Sequence, residues 1–401
     1  MNRLDWEGPR ELRAQFLLDE DVAFLNHGSF GACPRPVLAR QDELRAMMER
    51  RPVAFLHREL PGRLAEARAA LAGELGCGAG ELAYLPNVTS ALNAAIRSAP
   101  LQPGDEVLCG DHEYGALDRA WEAEALRRGL RIRRVALPLP VRAEEITAAY
   151  EAAAGPAVRA LFFSHVCSSS ALRLPAAELA ALARRRGWLC LVDGAHAPGQ
   201  VPLEVAALGA DVYAGNCHKW LLAPKGCGFV QATAAAQAWL RPTVTSWGYA
   251  NRPVAERRTP FLDELEWQGT SDPSAWLALP AALDFRRRWE WPARASLCRR
   301  RLQDFGDALV ARFGLERVTP RDEGLQMLAL GLPELDGEEL YRRLHEDCGV
   351  EVPVTQQDGR VLLRVSLQPY NRESDLERLE AALASLLPEL TARPEADRKR
   401  A

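Results

Sequence analysis

Between about residue 80 and residue 232 the sequence alternates short β-rich runs with helical stretches. The run WLCLV before Asp193 is apolar at every position, as expected for a strand that is buried on both faces of its sheet. Repeated alternation of strands and helices predicts an α/β fold, with a mainly parallel sheet and helices on both faces. Ligands of such sheets bind at the carboxyl ends of the strands, so polar residues that follow strands are the first candidates for a site.

The character of the sequence changes after about residue 255. Long helical stretches there are followed by the apparent strands QMLALGL and RVLLRVSL and by two further helix candidates. This pattern predicts a smaller α+β C-terminal domain. We therefore expect four parts: an N-terminal extension (1–20) that packs with the small domain, a large domain (21–255), a linker helix with the small domain (256–390), and a tail (391–401).

Charge and hydropathy exclude several classes of function. A net charge of −4 provides no basic surface for nucleic acid. No apolar run approaches the roughly 20 residues of a transmembrane helix, and the charged N-terminus does not resemble a signal peptide. Nine cysteines without a CxxC pair are typical of a reducing compartment. We expect a soluble cytoplasmic protein.

Lysine is rare in this chain, and its positions are therefore informative. Only three of the 50 basic residues are lysines, and two of them, Lys219 and Lys225, occur in the segment GNCHKWLLAPKG. Arginine can replace lysine as a surface cation, but it does not become a neutral amine that attacks a carbonyl group. Codon bias alone could leave a few lysines by chance. The alternative is that one of them is chemically required.

Polar residues gather at the predicted strand ends. Asp193 directly follows a buried strand, and an unpartnered carboxylate there would be costly. Five of the seven histidines lie at or beside apparent strand ends: His27, His112, His165, His196 and His218. Pyridoxal phosphate needs a lysine for its imine, an anionic partner for its ring nitrogen, and donors for its phosphate. Thr89 and Ser90, which open a helix after the strand ELAYLP, could provide those donors.

Competing sites lack their motifs. The sequence contains neither HExxH nor a Cys/His cluster with zinc spacing, so no metal site is predicted. GxGxxG, the P-loop pattern and GxSxG are also absent, which disfavours dinucleotide binding, P-loop chemistry and a serine hydrolase.

The paired motifs DGAHAPGQ and GNCHKW resemble those of class V, fold-type I pyridoxal-phosphate enzymes. The segment FLNHGSFGACP resembles a signature of the isopenicillin N epimerase-like branch, and the resemblance extends over residues 20 to 380. It implies a central sheet of the seven-stranded type that these enzymes share. It also implies that Lys219 forms the Schiff base and moves the Cα proton, and that Asp193 pairs with the ring nitrogen.

The resemblance implies further contacts with the cofactor. His196 would bond the ring hydroxyl, Tyr114 would stack on the ring, and Ser168 would contact the cofactor or the substrate. The phosphate would be held by Val88, Thr89, Asn216 and His218. Thr270 would reach the phosphate from the neighbouring subunit, which implies a homodimer.

On the substrate side, Arg364 lies inside the apolar strand VLLRVSL, where a guanidinium needs an anionic partner. The resemblance implies that this partner is the substrate α-carboxylate. Asn26 and His27, in the N-terminal loop, are expected to close over the substrate.

The expected reaction is chemistry at Cα of an amino acid or amino-acid conjugate, either epimerisation or C–S elimination. Transfer of the amino group to a keto acid remains the alternative. The presence of both Lys219 and Asp193 disfavours a non-catalytic protein. Desulfurase chemistry is disfavoured because Cys348 precedes a β-like run instead of lying in the TQQDG loop.

Overall fold

The computed structural model describes residues 5–249, 259–321 and 324–391. Within these ranges the strands are β1 (Ala23–Phe24), β2 (Leu82–Leu85), β3 (Glu106–Gly110), β4 (Arg131–Val135), β5 (Val158–Ser164), β6 (Leu189–Gly194), β7 (Val212–Asn216), β8 (Gly228–Ala232), β9 (Glu316–Arg317), β10 (Met327–Gly331), β11 (Val350–Glu351), β12 (Val354–Gln357) and β13 (Arg360–Ser366).

The α-helices of the first part of the chain are α1 (Arg10–Arg13), α2 (His27–Phe30), α3 (Arg35–Arg50), α4 (Leu60–Leu75), α5 (Val88–Ser98), α6 (Gly115–Arg128), α7 (Ala143–Ala153), α8 (Ala176–Arg186), α9 (Val205–Leu208) and α10 (Ala234–Gln237). The later ones are α11 (Pro260–Glu266), α12 (Ser274–Leu277), α13 (Leu279–Arg288), α14 (Trp291–Phe313), α15 (Gly337–Glu346) and α16 (Glu373–Thr391). A π-helix (Ala54–Glu59) precedes α4, and a 3₁₀ turn (Ala79–Glu81) precedes β2.

The central sheet has seven strands in the order β2-β8-β7-β6-β5-β3-β4. Strands β3 to β7 pair in parallel, and β8 runs antiparallel to both of its neighbours. Six strands therefore point in one direction and only β8 opposes them. The predicted mainly parallel α/β sheet is confirmed.

The central strands of the sheet are buried on both faces because they are apolar at successive positions. On β5, Leu161 and Phe163 belong to one core together with residues of α3, α4, α8 and α13. Phe162, between them, belongs to a second core with residues of α5, α6 and α11. Alternate side chains of a strand point to opposite faces, so these two cores are the two helical layers of the fold.

A second, antiparallel sheet lies towards the C-terminus, in the order β12-β13-β10-β9. It packs with α14, α15 and α16 around a third core. The long helical stretch before it is interrupted at Trp289 and Glu290, where the backbone of Glu290 is left-handed, with φ 48°. The predicted boundary at residues 255 and 256 and the tail after Thr391 lie outside the described residues, so the division into domains stays a prediction.

The N-terminal segment reaches across to this C-terminal part. β1 pairs in parallel with β11, the N–H of Gly8 donates to the carbonyl of Pro369 at 2.7 Å, and the N–H of Glu373 donates to Glu7 at 3.0 Å. The N-terminal segment and the C-terminal part of the chain are therefore in direct contact. Among the described helices, none combines the length and hydrophobicity that crossing a bilayer requires.

Candidate active site

A cavity of about 320 Å³ opens at the carboxyl edge of the central sheet, beside the ends of β5, β6 and β7. Helices α2 and α5 contribute their ends to its wall. Nine of the predicted site residues line this one cavity: Val88, Thr89, Tyr114, Ser168, Asp193, His196, Asn216, His218 and Lys219. Residues spread over 132 positions of the sequence (88 to 219) therefore meet at the place that the strand pattern indicates.

Lys219 lies three residues beyond β7, and its Nζ is 3.0 Å from Nε2 of His196. Burial and, to a smaller extent, the charge of Arg364 lower the pKa of the Lys219 amine from 10.5 to about 7, against the opposing effect of Asp193. A substantial fraction of this amine is therefore neutral near pH 7, which is the form that acts as a nucleophile or a base.

The hydrogen bonds of His196 agree with a neutral amine. The indole N–H of Trp220 donates to Nδ1 of His196 at 3.4 Å, and burial holds the pKa of this imidazole well below its ordinary value. A neutral ring that accepts at Nδ1 carries its proton on Nε2. Nε2 then donates to the lone pair of Lys219, and that lone pair exists only when the amine is unprotonated.

Asp193 is the buried carboxylate of the cavity wall. Its Oδ1 accepts a hydrogen bond from the N–H of Ala195 at 2.8 Å. Burial raises the pKa of this carboxyl group from 3.8 to about 6, against the opposing effects of that hydrogen bond and of Lys219. A buried anion of this kind gains most from a cationic partner, such as a protonated ring nitrogen.

The N-terminus of α5 supplies backbone donors to the same cavity. Oδ1 of Asn87 caps the helix by accepting from the N–H of Ser90 at 2.9 Å, and Oδ1 of Asn216 accepts from the N–H of Val88 at 3.0 Å. Gly228 permits this approach, since a Cβ there would lie 2.7 Å from Cα of Asn87. A helix N-terminus with neighbouring donors favours an anion such as a phosphate.

His218 stands beside this helix end. Its Nδ1 donates to the carbonyl of Cys227 at 3.3 Å, and burial lowers the pKa of the ring to about 4. The ring is therefore neutral near pH 7, and its Nε2 is left to accept a hydrogen bond from a ligand.

Arg364, on β13, is a buried cation whose described partners are all neutral. It donates to the carbonyl of Ser168 at 2.6 Å, to Oδ1 of Asn26 at 3.1 Å and to Oγ of Ser29 at 2.9 Å. Its Nε has no hydrogen-bond partner among the described residues. Burial lowers the pKa of the guanidinium from 12.5 to about 10, so it keeps its charge. The missing counter-charge is what a carboxylate ligand would provide.

The two predicted residues of the N-terminal loop hold this arrangement in place. Asn26 orients Arg364, as described above. His27 is fully buried behind the cavity wall: Tyr370 contacts its Nδ1 at 2.7 Å, and its Nε2 donates to the carbonyl of Lys219 at 3.1 Å. Gly31, with φ 71°, continues this close packing, because a Cβ there would lie 2.1 Å from the carbonyl of His218.

Two predicted residues face the outside. Tyr114 caps the start of α6 at the cavity mouth, with 47% of its surface exposed. Thr270 is exposed and lies outside the cavity of its own chain.

Other residues of this region could not be predicted from the sequence. Glu113, next to Tyr114, is buried, and Oγ of Ser164 donates to it at 2.6 Å. Burial raises the pKa of Glu113 to about 8, so this carboxyl group is protonated at neutral pH. The stretch DHEYGALDRAW contains it, but a glutamate in a polar loop has no sequence property that predicts burial. Lys225, to which the sequence assigned no role, also lines the cavity.

A separate polar group lies between the β3–α6 loop and the β12–β13 turn. Ligand atoms of Asp111, His112 and Asp358 lie within 4.8 Å of one another. Nε2 of His112 is already engaged by the carbonyl of Leu137 at 2.8 Å. We therefore interpret this group as a polar contact between two loops.

The cavity residues fit pyridoxal phosphate. A lysine with a neutral fraction, a buried carboxylate and a helix N-terminus match the carbonyl, the ring nitrogen and the phosphate of that cofactor. Together with the mainly parallel sheet, they define the class of fold-type I pyridoxal-phosphate-dependent enzymes.

Comparison with known proteins gives the family. Residues 33–379 match the model of the aminotransferase class-V family. The chain is 42% identical to isopenicillin N epimerase of Streptomyces clavuligerus over 398 residues, which cover 96% of this chain and 99% of the relative. It is 27% identical to L-cysteine desulfhydrase of Arabidopsis thaliana, over 91% of this chain and 88% of the relative. The chain belongs to the aminotransferase class-V family.

Solved structures agree on the fold. A cystine C–S lyase in complex with its product cysteine persulfide has a TM-score of 0.80 at 21% identity, covering 91% of this chain and 98% of that one. A cysteine desulfurase from Escherichia coli has a TM-score of 0.79 at 21% identity, covering 97% and 100%. The predicted fold type is thus confirmed, as are the pyridoxal-phosphate enzyme class and the isopenicillin N epimerase-like branch.

Proposed function

We propose that this protein labilises the Cα–H bond of an amino acid or amino-acid conjugate, and that its reaction is epimerisation or C–S elimination. The observation that carries the proposal is the buried Lys219 amine, whose pKa is lowered to about 7 beside the carboxylate of Asp193. A base with a pKa near the working pH is suited to removing a carbon-bound proton.

Each residue then has a separate task. When bound, pyridoxal phosphate supplies an electrophilic carbon for an amine and a ring that withdraws electrons from Cα. Asp193 balances the charge of the ring nitrogen, and Lys219 holds and moves the Cα proton.

The remaining predicted residues orient the bound molecules. The start of α5 (Val88 and Thr89), with Asn216, binds the phosphate, and His218 donates to it from Nε2 once the negative charge of the phosphate favours the protonated ring. His196, Tyr114 and Ser168 surround the ring, and Arg364, oriented by Asn26, binds the substrate α-carboxylate.

The names of the relatives support epimerisation more strongly than C–S elimination. Isopenicillin N epimerases are 42% identical to this chain, and L-cysteine desulfhydrase of Arabidopsis is 27% identical. Both names describe reactions that begin with loss of a Cα proton. Amino transfer begins in the same way, and it is the second candidate because the family model is that of the class-V aminotransferases.

The test is incubation of the holoenzyme with L-amino acids and cysteine conjugates in D2O. We expect deuterium at Cα, measured by mass spectrometry, together with either inversion of configuration or release of a thiol or sulfide. A cofactor spectrum that changes with amino acid and is restored by a keto acid would indicate amino transfer instead. Failure of every substrate to exchange its Cα proton would contradict the proposal.

We further propose a homodimer in which Thr270 completes the site of the partner subunit. Its exposed position outside its own cavity supports this arrangement. Thr270→Asp would place a negative charge beside the cofactor phosphate and should inactivate the partner's site. When Thr270→Asp chains are mixed with an equal amount of Lys219→Ala chains, about half of the dimers contain one chain of each kind. Each of these mixed dimers has one intact site out of two, so about a quarter of wild-type activity should return. No recovery in verified mixed dimers would contradict a shared site.

The cytoplasmic location stays a prediction.

A further inference from the structure

Ser164 connects two carboxyl groups, that of Asp193 in the cavity wall and that of Glu113 behind it. Oγ of Ser164 is 2.6 Å from Oε2 of Glu113. In the central sheet Ser164 is the register partner of Asp193, and both residues line the cavity. Adjacent strands are about 4.8 Å apart, so one hydrogen bond joins Glu113 to the direct neighbour of Asp193.

The surroundings of Glu113 suit a neutral acid. A buried carboxylate needs several donors or a cationic partner. In the described structure the hydrogen bonds of Glu113 come from Ser164 alone, and Oε1 has none. Oε1 and the hydroxyl oxygen of Tyr150 both lie above Gly110, where a Cβ would be 3.0 Å from the first atom and 2.7 Å from the second. This hydroxyl group is also unpartnered among the described residues, and it brings no positive charge.

Other ionisable groups near Glu113 do not supply a positive partner. Apart from Asp193, those that interact with it in the described structure are an acid, a cation paired with that acid at 2.6 Å, and three buried groups: Asp118, Arg134, Tyr150, Cys109 and Cys167. Burial raises the pKa of each of the last three well above its ordinary value, so they are uncharged near neutral pH. Burial, with a smaller contribution from the charge of Asp193, raises the pKa of Glu113 to about 8 against the effect of its hydrogen bond.

The two carboxyl groups therefore differ in charge. Asp193 accepts from the N–H of Ala195 at 2.8 Å, and Lys219 favours its ionised form. The described surroundings of Glu113 contain no cation that is free to pair with it. A like charge nearby disfavours a second ionisation. At neutral pH this end of the site consists of one carboxylate and one carboxylic acid.

We propose that Glu113 is a positioning residue: as a neutral acid it holds Ser164 beside Asp193 and leaves Asp193 as the single negative charge at this end of the cavity. A second carboxylate here would favour protonation of the Lys219 amine, which has to be neutral to remove a proton. The inference deepens the proposed function, because it rests on Asp193 as the partner of the ring nitrogen.

The experiment compares two substitutions of Glu113 in the holoenzyme. Glu113→Gln keeps an uncharged oxygen that accepts from Ser164, and it should bind pyridoxal phosphate within about twofold of wild type at neutral pH, with the same absorption spectrum. Glu113→Leu removes the bond. It should bind the cofactor about tenfold more weakly, as the loss of a buried hydrogen bond allows, and shift the absorption band.

Two further variants complete the comparison. Ser164→Ala breaks the same bond from the other side and should reproduce the loss of affinity, so the test remains valid if Glu113→Leu does not fold. Glu144→Gln replaces an exposed glutamate of α7 and should behave as wild type.

The protonation state of Glu113 is measured separately by infrared difference spectroscopy. Between about pH 9.5 and about pH 7, wild type should gain the stretching band of a protonated carboxyl group, which Glu113→Gln should lack. The pKa of Glu113 in the folded protein lies above its ordinary value of 4.5. Wild type should therefore lose thermal stability relative to Glu113→Gln as the pH rises from about 5 to about 8.

Three results would overturn the inference. One is a wild-type infrared spectrum without a band that depends on Glu113, which would mean that this group is ionised. Another is a Glu113→Gln variant that binds the cofactor as weakly as Glu113→Leu. The third is a Glu113→Leu variant that is less stable but has wild-type affinity and spectrum, because Glu113 would then only fill space. None of these measurements needs a substrate, so failure of every substrate to exchange its Cα proton would refute the proposed function and not this inference.

Discussion

Replacement of Lys219 by alanine is expected to lower the rate of Cα-proton exchange by about 10⁴-fold or more, since one residue supplies both the covalent anchor and the base. The loss follows from the site, where the Lys219 amine, with its pKa lowered to about 7, is hydrogen-bonded to His196. The rate is measured by deuterium incorporation at saturating substrate, and the fold of the variant is checked by circular dichroism.

The matched control is Lys225→Met, which removes the other lysine of the same cavity. Borohydride reduction of wild type and of this control should fix the cofactor to the peptide that contains Lys219. In Lys219→Ala no peptide should carry it. Fixation to Lys225 in any of the proteins would show that the assignment of the two lysines is reversed.

Replacement of Arg364 by glutamine is expected to lower kcat/KM for an amino acid by about 10²- to 10³-fold. Truncation of one partner of a buried, hydrogen-bonded charge pair costs roughly 2–5 kcal/mol. Arg364 is buried, its described partners are neutral, and its Nε is unpartnered among the described residues, so the carboxylate of the substrate would be its counter-charge. Steady-state kinetics should assign most of the loss to KM.

Arg360 offers a control on the same strand. It is partly exposed at the start of β13 and pairs with Glu316 at 3.0 Å, so Arg360→Gln should leave kcat/KM within about twofold, as expected for a surface ion pair. The amine that has the side chain of the amino acid but no α-carboxylate should bind nearly equally well to wild type and to Arg364→Gln. An equal loss for the amino acid and for this amine would mean that Arg364 only supports the structure.

The central sheet could be predicted because the sequence pattern that specifies each of its strands is local. The apolar run before Asp193 and the recurring strand–helix pattern specify buried parallel strands without reference to distant residues. Lys219 and Asp193 could be placed at one sheet edge for the same reason, since Asp193 lies at the carboxyl end of β6 and Lys219 follows the neighbouring strand β7. The parallel pairing of β1 with β11 has no such local pattern.

The remaining details depend on packing. The position of Arg364 in an apolar strand indicated a buried cation. The sequence could not show that its guanidinium group donates hydrogen bonds to Asn26 and Ser29. The burial of Glu113 and its bond to Ser164 join residues 51 positions apart. The sequence could not place Lys225 in the cavity wall, because its contact with Gly31 spans 194 positions.

The N-terminal loop has a consequence for the order in which the protein can mature. Residues 23 and 24 pair with residues 350 and 351, His27 contacts Tyr370, and the same loop meets Arg364. During synthesis these early residues lack their C-terminal partners until residues 350 to 370 have been made. The strands of the large sheet, which end at residue 232, are made before that point, but the wall that we propose to bind substrate also needs the later residues. The proposed substrate-binding wall can therefore be complete only after residues 350 to 370 have been synthesised.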